Sequence, residues 1–154
     1  MVAPIVFQTL ANQRKRLVEI LGNTSEADLQ AIPAGFRNNI WWNAAHILVV
    51  QQLLCYKLTN LPLLIDASWV AAYAKGTFPG ALPGEEERHK VQEQLVGTVA
   101  KLQEDYQAGR FGSYTPYTTS AGVTLRSIED GILFNLYHEG LHLGAIQSLQ
   151  KALK

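Results

Sequence analysis

The sequence contains a single cysteine, Cys55, so no intramolecular disulfide can form. This excludes a secreted scaffold built on disulfides, and we expect a reducing compartment, the cytoplasm. No apolar run approaches the length of about 18 residues that a bilayer crossing requires, and residues 1–10 lack the basic start of a signal peptide. The sequence therefore predicts no membrane partner.

An excess of charge of one sign is also missing, because 13 lysines and arginines balance 13 acidic residues. Without a net positive field, binding to nucleic acid or to an anionic membrane is not expected. Apolar residues make up 47% of the 154 residues, and charged residues only 17%. Such a chain is not disordered, and we expect one domain over residues 1–154 with a sizeable core.

The apolar periodicity predicts four long helices joined by connections with short extra helices. The long helices are expected over residues 4–21, 40–59, 85–108 and 125 to nearly the end, and the short ones over 26–31 and 66–75. Strand-like alternation is scarce, apart from a short β excursion within residues 111–119. The predicted fold class is therefore all-α, a four-helix bundle. The long connections 60–84 and 109–124 favour a topology other than up-down-up-down.

The ends and faces of these helices carry further expectations. Asn38 or Asn39 can cap the second helix, and Thr124 the last one. The second helix is apolar on nearly every side, which is more than one bundle face needs, so we expect a homodimer. Gly140 and Gly144 form a strip of small residues in the last helix, where either another helix packs closely or a substrate finds room.

The last helix contains the most informative segment, His138-Glu139-Gly140-Leu141-His142. Residues four apart lie on one face of a helix, so both imidazoles project together from the apolar stripe that faces the bundle. Buried imidazoles need hydrogen-bond partners or a metal ion. The string matches the H-E-x-x-H pattern of zinc peptidases. We reject that interpretation because no histidine, acid or cysteine follows His142 to supply a third ligand.

A third ligand must therefore come from upstream, where only two histidines remain. His89 has charged neighbours and is expected at the surface. His46 lies in the most apolar helix, where an unsatisfied imidazole would cost about 1–3 kcal/mol. A site formed by His46, His138 and His142 with an open position accounts for all three residues. Such a ligand set suits Zn, Ni, Cu or Fe and disfavours Mg or Ca.

Residues next to these histidines are candidates for supporting roles. Glu139 either orients a ligand or acts as a catalytic base, or it pairs with a basic side chain. Asn43 and Asn135 each precede a histidine by one turn, and either line the pocket or serve in helix packing. Trp42 is expected as a pocket wall. The Tyr114–Tyr117 loop is either a lid or a plain connector, and Cys55 is expected to be a small buried hydrophobe.

The pattern W-x(4)-H ending at His46, followed by H-E-x-x-H-x-G from His138 to Gly144, resembles the DinB/YfiT-like family. The resemblance extends over the whole chain. It implies an up-down-down-up bundle in which His46, His138 and His142 bind a divalent metal ion, zinc or nickel first of all. After Gly144 the family often has glutamine, but this chain has Ala145, so any role of that glutamine is missing.

Characterised members of that family include thiol S-transferases that use bacillithiol or mycothiol and a mycothiol-dependent isomerase. The resemblance therefore implies a metal-dependent enzyme acting on a small-molecule substrate, with the metal activating a low-molecular-weight thiol or a water molecule. Transferase chemistry is favoured over hydrolysis. The alternative is a non-catalytic bundle that binds a metal or a small ligand.

Overall fold

A computed structural model describes all residues, 1–154, and is almost entirely helical outside its connections. Its helices and strands follow in this order: α1 (Pro4–Gly22), α2 (Glu26–Gln30), α3 (Ile40–Cys55), a 3₁₀ turn (Lys57–Thr59), α4 (Ala67–Tyr73), α5 (Glu85–Gln107), β1 (Tyr117–Thr118), β2 (Thr124–Leu125) and α6 (Ile128–Ala152). The all-α prediction is confirmed, and the four long helices lie close to their expected positions. None of the helices combines the length and the hydropathy that a membrane crossing requires.

The start of the last helix is a correction to the sequence prediction. Thr124 does not cap it, because Thr124 and Leu125 form a strand that pairs antiparallel with Tyr117–Thr118. The Ser127 hydroxyl caps α6 instead, accepting a hydrogen bond from the backbone N–H of Asp130. Ser127 also has a hydroxyl side chain that suits an N-cap, and it lies three residues after Thr124, where the cap was predicted. The β-branched Thr124 suits a strand.

The other predicted caps agree with the structure more closely. The Asn39 side chain accepts a hydrogen bond from the Trp42 backbone N–H and begins α3. The α-helical part of α3 ends at Cys55, earlier than expected, and a 3₁₀ turn continues the chain to Thr59. Asn60 then reverses the chain with a left-handed backbone, φ +58°.

Helix α3 is buried along most of its length by neighbours within the same chain. It contacts α2, α4, α5 and α6. Its side chains are buried on every side of the helix, from Ile40 through Ala44 and Leu48 to Cys55. The all-round apolar character of α3 is therefore satisfied inside one copy, and it no longer argues for a second one.

The contacts between helices define an up-down-down-up bundle. Helices α1 and α3 each pack against both α5 and α6. The Tyr106 hydroxyl, late in α5, meets Val2 just before α1 and Glu129 at the start of α6, so α1 and α6 are parallel and α5 runs against both. Helices α3 and α5 are parallel, because Gln51 contacts Thr98 and Tyr56 contacts Asp105. The topology implied by the family resemblance is thus present.

The apolar core falls into two clusters, one toward each end of the bundle. On α1, Leu17 and Leu21 belong to one cluster, whereas Val6 and Leu10 belong to the other. On α6, residues 143–149 and 128–132 divide in the same way. The residues between the clusters include polar side chains from all four long helices: Arg14, Gln51, Thr98, Asn135 and Glu139. A buried polar layer therefore crosses the middle of the bundle, and the candidate site adjoins it.

Close packing by glycine occurs at a different position from the one expected. Gly140 and Gly144 are exposed, and a methyl group at either would meet no atom within 4 Å. At Gly131 a Cβ atom would lie 3.1 Å from the Leu54 carbonyl oxygen and 2.9 Å from the Tyr114 hydroxyl. The glycine that lets α3 and α6 approach closely is thus Gly131, and the packing role predicted for the other two is wrong within one copy.

Candidate metal centre

The three candidate histidines converge between α3 and α6. His138 and His142 project from one face of α6, and His46 reaches them from the antiparallel α3. The ring centroids lie 4.4 Å apart for His138 and His142, 4.7 Å for His46 and His142, and 5.1 Å for His46 and His138. One nitrogen from each ring lies within 4.8 Å of the corresponding nitrogens of the others. These three residues could therefore hold a metal ion.

Hydrogen bonds to two of the rings determine which nitrogen is free. The Nδ1–H of His46 donates to the Tyr73 carbonyl oxygen at 2.6 Å, and a carbonyl can only accept. The Nδ1–H of His142 donates to Oδ1 of Asn43 at 2.7 Å. The Asn43 amide nitrogen donates to the Asn39 carbonyl at 2.7 Å, which leaves its oxygen facing the ring. Both histidines thus keep an Nε2 lone pair for a ligand.

His138 lacks such a partner. Its Nδ1 atom is buried and makes no hydrogen bond. A buried nitrogen without a partner costs about 1–3 kcal/mol, and a cation bound by that nitrogen would remove the cost. Among the three histidines, this ring is the one whose position is not explained by ordinary hydrogen bonding.

Burial keeps all three imidazoles neutral near pH 7. It lowers the pKa of His138 to about 3, with smaller contributions from the neighbouring histidines and Arg14. Burial also lowers the pKa of His142 to about 4, and it lowers that of His46 against the opposing effect of the Tyr73 hydrogen bond. A neutral imidazole offers a lone pair, which a protonated one cannot. The donor set therefore fits a borderline divalent cation such as Zn²⁺ or Ni²⁺.

Trp42 lies beside the histidines. Its ring stacks on His46 at a centroid distance of 4.5 Å and an interplanar angle of 13°. Its indole N–H donates to the Thr77 hydroxyl at 3.0 Å, while the indole of Trp41 donates to the Tyr73 hydroxyl. The two tryptophans thus attach α4 and the segment after it to α3. That attachment places the Tyr73 carbonyl against His46.

Glu139, next to His138 in sequence, points into a different environment. Its two carboxylate oxygens accept hydrogen bonds from Nε and Nη2 of Arg14 at 2.8 and 2.7 Å. The Asn135 amide also donates to one of these oxygens, at 2.7 Å. Arg14 and Glu139 are each only 1% exposed. Of the three roles considered for Glu139, pairing with a basic side chain fits this geometry, and the pair lies in the interior of the bundle.

Arg14 also contacts oxygens of two other helices. Its Nη1 donates to the Leu95 carbonyl at 3.0 Å, and its Nη2 contacts the Ile47 carbonyl and Oε1 of Gln51, each at 3.4 Å. The guanidinium therefore connects α1 to α3, α5 and α6. We call Arg14, Gln51, Asn135 and Glu139 the enclosed cluster.

A cavity of about 630 Å³ opens above the three histidines. The apolar part of its lining comprises Val50, Leu53, Leu54, Leu58, Phe134 and Leu141. The rest of the lining is polar and comprises Lys57, Lys75, Tyr117, Thr119 and Ser120. The β1–β2 hairpin thus forms part of the wall. Glu139, Asn43 and Asn135 do not line this cavity, and Trp42 contributes only through its stacking on His46.

The other sequence expectations near the site can now be placed. His89 is exposed, as predicted. Cys55 is fully buried, and burial raises the pKa of its thiol, so it is a small hydrophobe as expected and not a nucleophile. Sequence reasoning missed Arg14 and the two cavity lysines. Arg14 had a usable signal, because a charged residue interrupts the apolar stripe of α1 between Leu10 and Leu17.

Comparison with known proteins agrees with this architecture. The sequence model of the DinB superfamily matches residues 9–146, so the chain belongs to that superfamily. A crystal structure described as the conserved protein of locus from Enterococcus faecalis superposes with a TM-score of 0.67 at 14% sequence identity. The match covers 99% of this chain and 97% of that one, and it shows a shared fold. No curated protein matches the chain.

Proposed function

We propose that this protein is a metal-dependent enzyme acting on a small molecule, with Zn²⁺ or Ni²⁺ held by His46, His138 and His142. The observation that carries the proposal is the convergence of three neutral imidazoles at one end of a cavity large enough for a substrate. Three protein ligands leave a divalent cation an open coordination position. A cation there acts as a Lewis acid that lowers the pKa of a thiol or water.

The surrounding residues support transfer of a low-molecular-weight thiol over hydrolysis. No aspartate or glutamate lines the cavity, and both oxygens of Glu139 are engaged by Arg14. A carboxylate base to accept a proton from water is therefore missing, whereas a thiol ionises readily beside a cation. In this proposal Asn43 and the Tyr73 carbonyl orient two ligands, and Glu139 acts through α6 as a positioning residue.

Elemental analysis of protein purified without an affinity tag tests the metal, and thiol cofactors can then be screened against electrophiles. We expect about one zinc or nickel ion per chain, and turnover that stops on chelation and returns when metal is added back. A chain that binds no metal under any of these conditions contradicts the proposal.

The alternative is a non-catalytic bundle that binds a metal or a small ligand. The absence of a carboxylate base in the cavity favours this alternative as much as it favours thiol transfer. The two differ in what chelation does. An enzyme loses turnover while it stays folded, whereas a site that serves only stability unfolds when the metal is removed.

We further propose that the protein is a cytoplasmic homodimer formed through α6. Leu133, Tyr137 and Leu141 lie four residues apart, and are 51%, 53% and 54% exposed. Pairing two such stripes would remove them from water. Light scattering is expected to give twice the monomer mass, and Tyr137→Glu to give the monomer. A monomeric native protein contradicts the assignment.

A further inference from the structure

The charged residues that line the cavity are all of one sign. They are Lys57, in the 3₁₀ turn after α3, and Lys75, just after α4. Neither lysine forms an ion pair in the structure, although seven ion-pair contacts occur elsewhere in the chain. Both side chains are exposed at the cavity. Two cations therefore face this space without a counter-ion from the protein.

The cavity is positively charged, although the chain as a whole carries no net charge. The three histidines are neutral, so a bound divalent cation would keep its full positive charge, and the two lysines add to it. The nearest acidic side chain along α6, Glu139, is neutralised by Arg14. A ligand with a negatively charged end complements these cations, whereas a cationic ligand would be repelled.

The rest of the lining defines the other part of the ligand. The lining also includes six aliphatic and aromatic side chains and three hydroxyl-bearing residues of the hairpin region, Tyr117, Thr119 and Ser120. Apolar walls with a few polar groups are typical of sites for small organic molecules. We infer that the cavity binds an organic anion, a carboxylate on an apolar body, whose charged end is recognised by Lys57 and Lys75. This inference rests on the proposed function in one respect: the anion is a substrate only if the metal site in the same cavity is catalytic.

A matched set of probes tests the inference. Octanoate, octanamide and octylamine share one apolar chain and differ in the charge of the head group. NMR titration of the full-length protein should show octanoate binding at least about fivefold more tightly than octanamide, with octylamine the weakest. The preference for octanoate should shrink as salt is added. Equal affinities for octanoate and octanamide would overturn the inference.

Variants separate the lysines from the metal. In the metal-free protein, where no bound cation attracts the carboxylate, the Lys57→Gln and Lys75→Gln double variant should lose the preference for octanoate while its affinity for octanamide stays within about twofold. The Lys57→Glu and Lys75→Glu double variant should prefer octylamine. The control is Lys15→Gln with Lys151→Gln, which removes the same charge outside the cavity and should keep the native preference. If the preference survives in the Lys57 and Lys75 variants, the lysines do not recognise the anion.

The titrations are run on the metal-loaded protein and again after chelation. A preference for octanoate that depends on Lys57 and Lys75 in both states supports the inference, even if the metal proves irrelevant to catalysis. Metal binding at the histidines without any preference for octanoate would sustain the proposed function and overturn this inference. The two failures are thereby distinguishable.

Discussion

Two polar regions adjoin each other on α6 and differ in charge and in access to the cavity. In the enclosed cluster, Arg14 and Glu139 are almost inaccessible, and each of the three guanidinium nitrogens makes at least one hydrogen bond. One residue earlier in the chain, His138 faces a cavity with a buried nitrogen that has no partner. In the first region the two charges neutralise each other, although Oδ1 of Asn135 has no hydrogen-bond partner. In the second region the rings are neutral and carry lone pairs that could bind a cation. The contrast is the one expected between a cluster that supports the fold and three histidines that could hold a metal ion.

The largest expected effect comes from breaking the enclosed cluster. Arg14→Met leaves the Glu139 carboxylate buried without its cation and should lower the free energy of unfolding by about 3–5 kcal/mol. Urea denaturation measures the change. Adding Glu139→Leu to the same chain removes the stranded charge and should recover part of the loss. A single variant as stable as the native protein would show that the cluster does not support the fold.

Replacing His138, which precedes Glu139 in the chain, should weaken metal binding without destabilising the fold. His138→Gln removes one of three ligands and should weaken zinc or nickel binding at least about a hundredfold, beyond the 10–100-fold typical of groups behind the ligands. Competition with a chromogenic chelator measures the affinity. The matched control, His89→Gln, changes an exposed histidine and should bind metal as the native chain does. Equal affinities in both variants would place the metal elsewhere.

The close contact between α3 and α6 near the enclosed cluster gives a third test. Gly131→Ala places a methyl group against the Leu54 carbonyl and the Tyr114 hydroxyl, and should cost about 1–3 kcal/mol of stability. Gly97→Ala, on the exposed face of α5 with no atom within 4 Å, should instead stabilise by about 0.5–1 kcal/mol. Thermal unfolding of both variants checks the opposite signs. The same sign in both would argue against the tight approach of the helices.

The histidines also predict how the stability of the metal-free protein depends on pH. Their pKa values, about 3 for His138 and about 4 for His142, lie below the ordinary value of 6.5 that applies when the chain is unfolded. Below pH 6.5 the unfolded chain therefore binds protons that the folded chain excludes. The free energy of unfolding consequently decreases as the pH is lowered. Because these rings are partly open to solvent, we expect a loss on the order of 1–2 kcal/mol from pH 7 to 5.

A double variant, His138→Gln with His142→Gln, is the control for that pH dependence. Its denaturation curves should change less between pH 7 and 5 than those of the native protein, because fewer groups titrate. An unchanged slope would assign the dependence to other residues.

The smallest expected effect concerns Asn43, whose side-chain oxygen accepts a hydrogen bond from His142. Asn43→Ala removes the acceptor of the His142 Nδ1–H and should weaken metal binding about tenfold. Asn135→Ala makes the equivalent change in the enclosed cluster and should lower stability without changing metal affinity. Calorimetric titration with zinc compares the two variants. Equal metal affinities would remove the functional distinction between the two regions.

Much of the fold could be predicted from the sequence because its signals are local. Helix periodicity, the Asn39 cap and the spacing of His138 and His142 depend only on neighbouring residues. The predicted start of α6 was wrong because that prediction also used only local signals. Two cap signals, at Thr124 and Ser127, stand three residues apart, and only the pairing of Thr124 with Thr118 decides between them.

The sequence by itself determined the helical class, the positions of the long helices and the types of side chain available as ligands, because the chemistry of an imidazole and the repeat of a helix are properties of short segments. Only the tertiary structure decided that Arg14 neutralises Glu139, that Gly131 is the tight contact, and that Lys57 and Lys75 face one cavity. Those residues are far apart in the chain, and their charges and contacts acquire meaning only when the bundle brings them together.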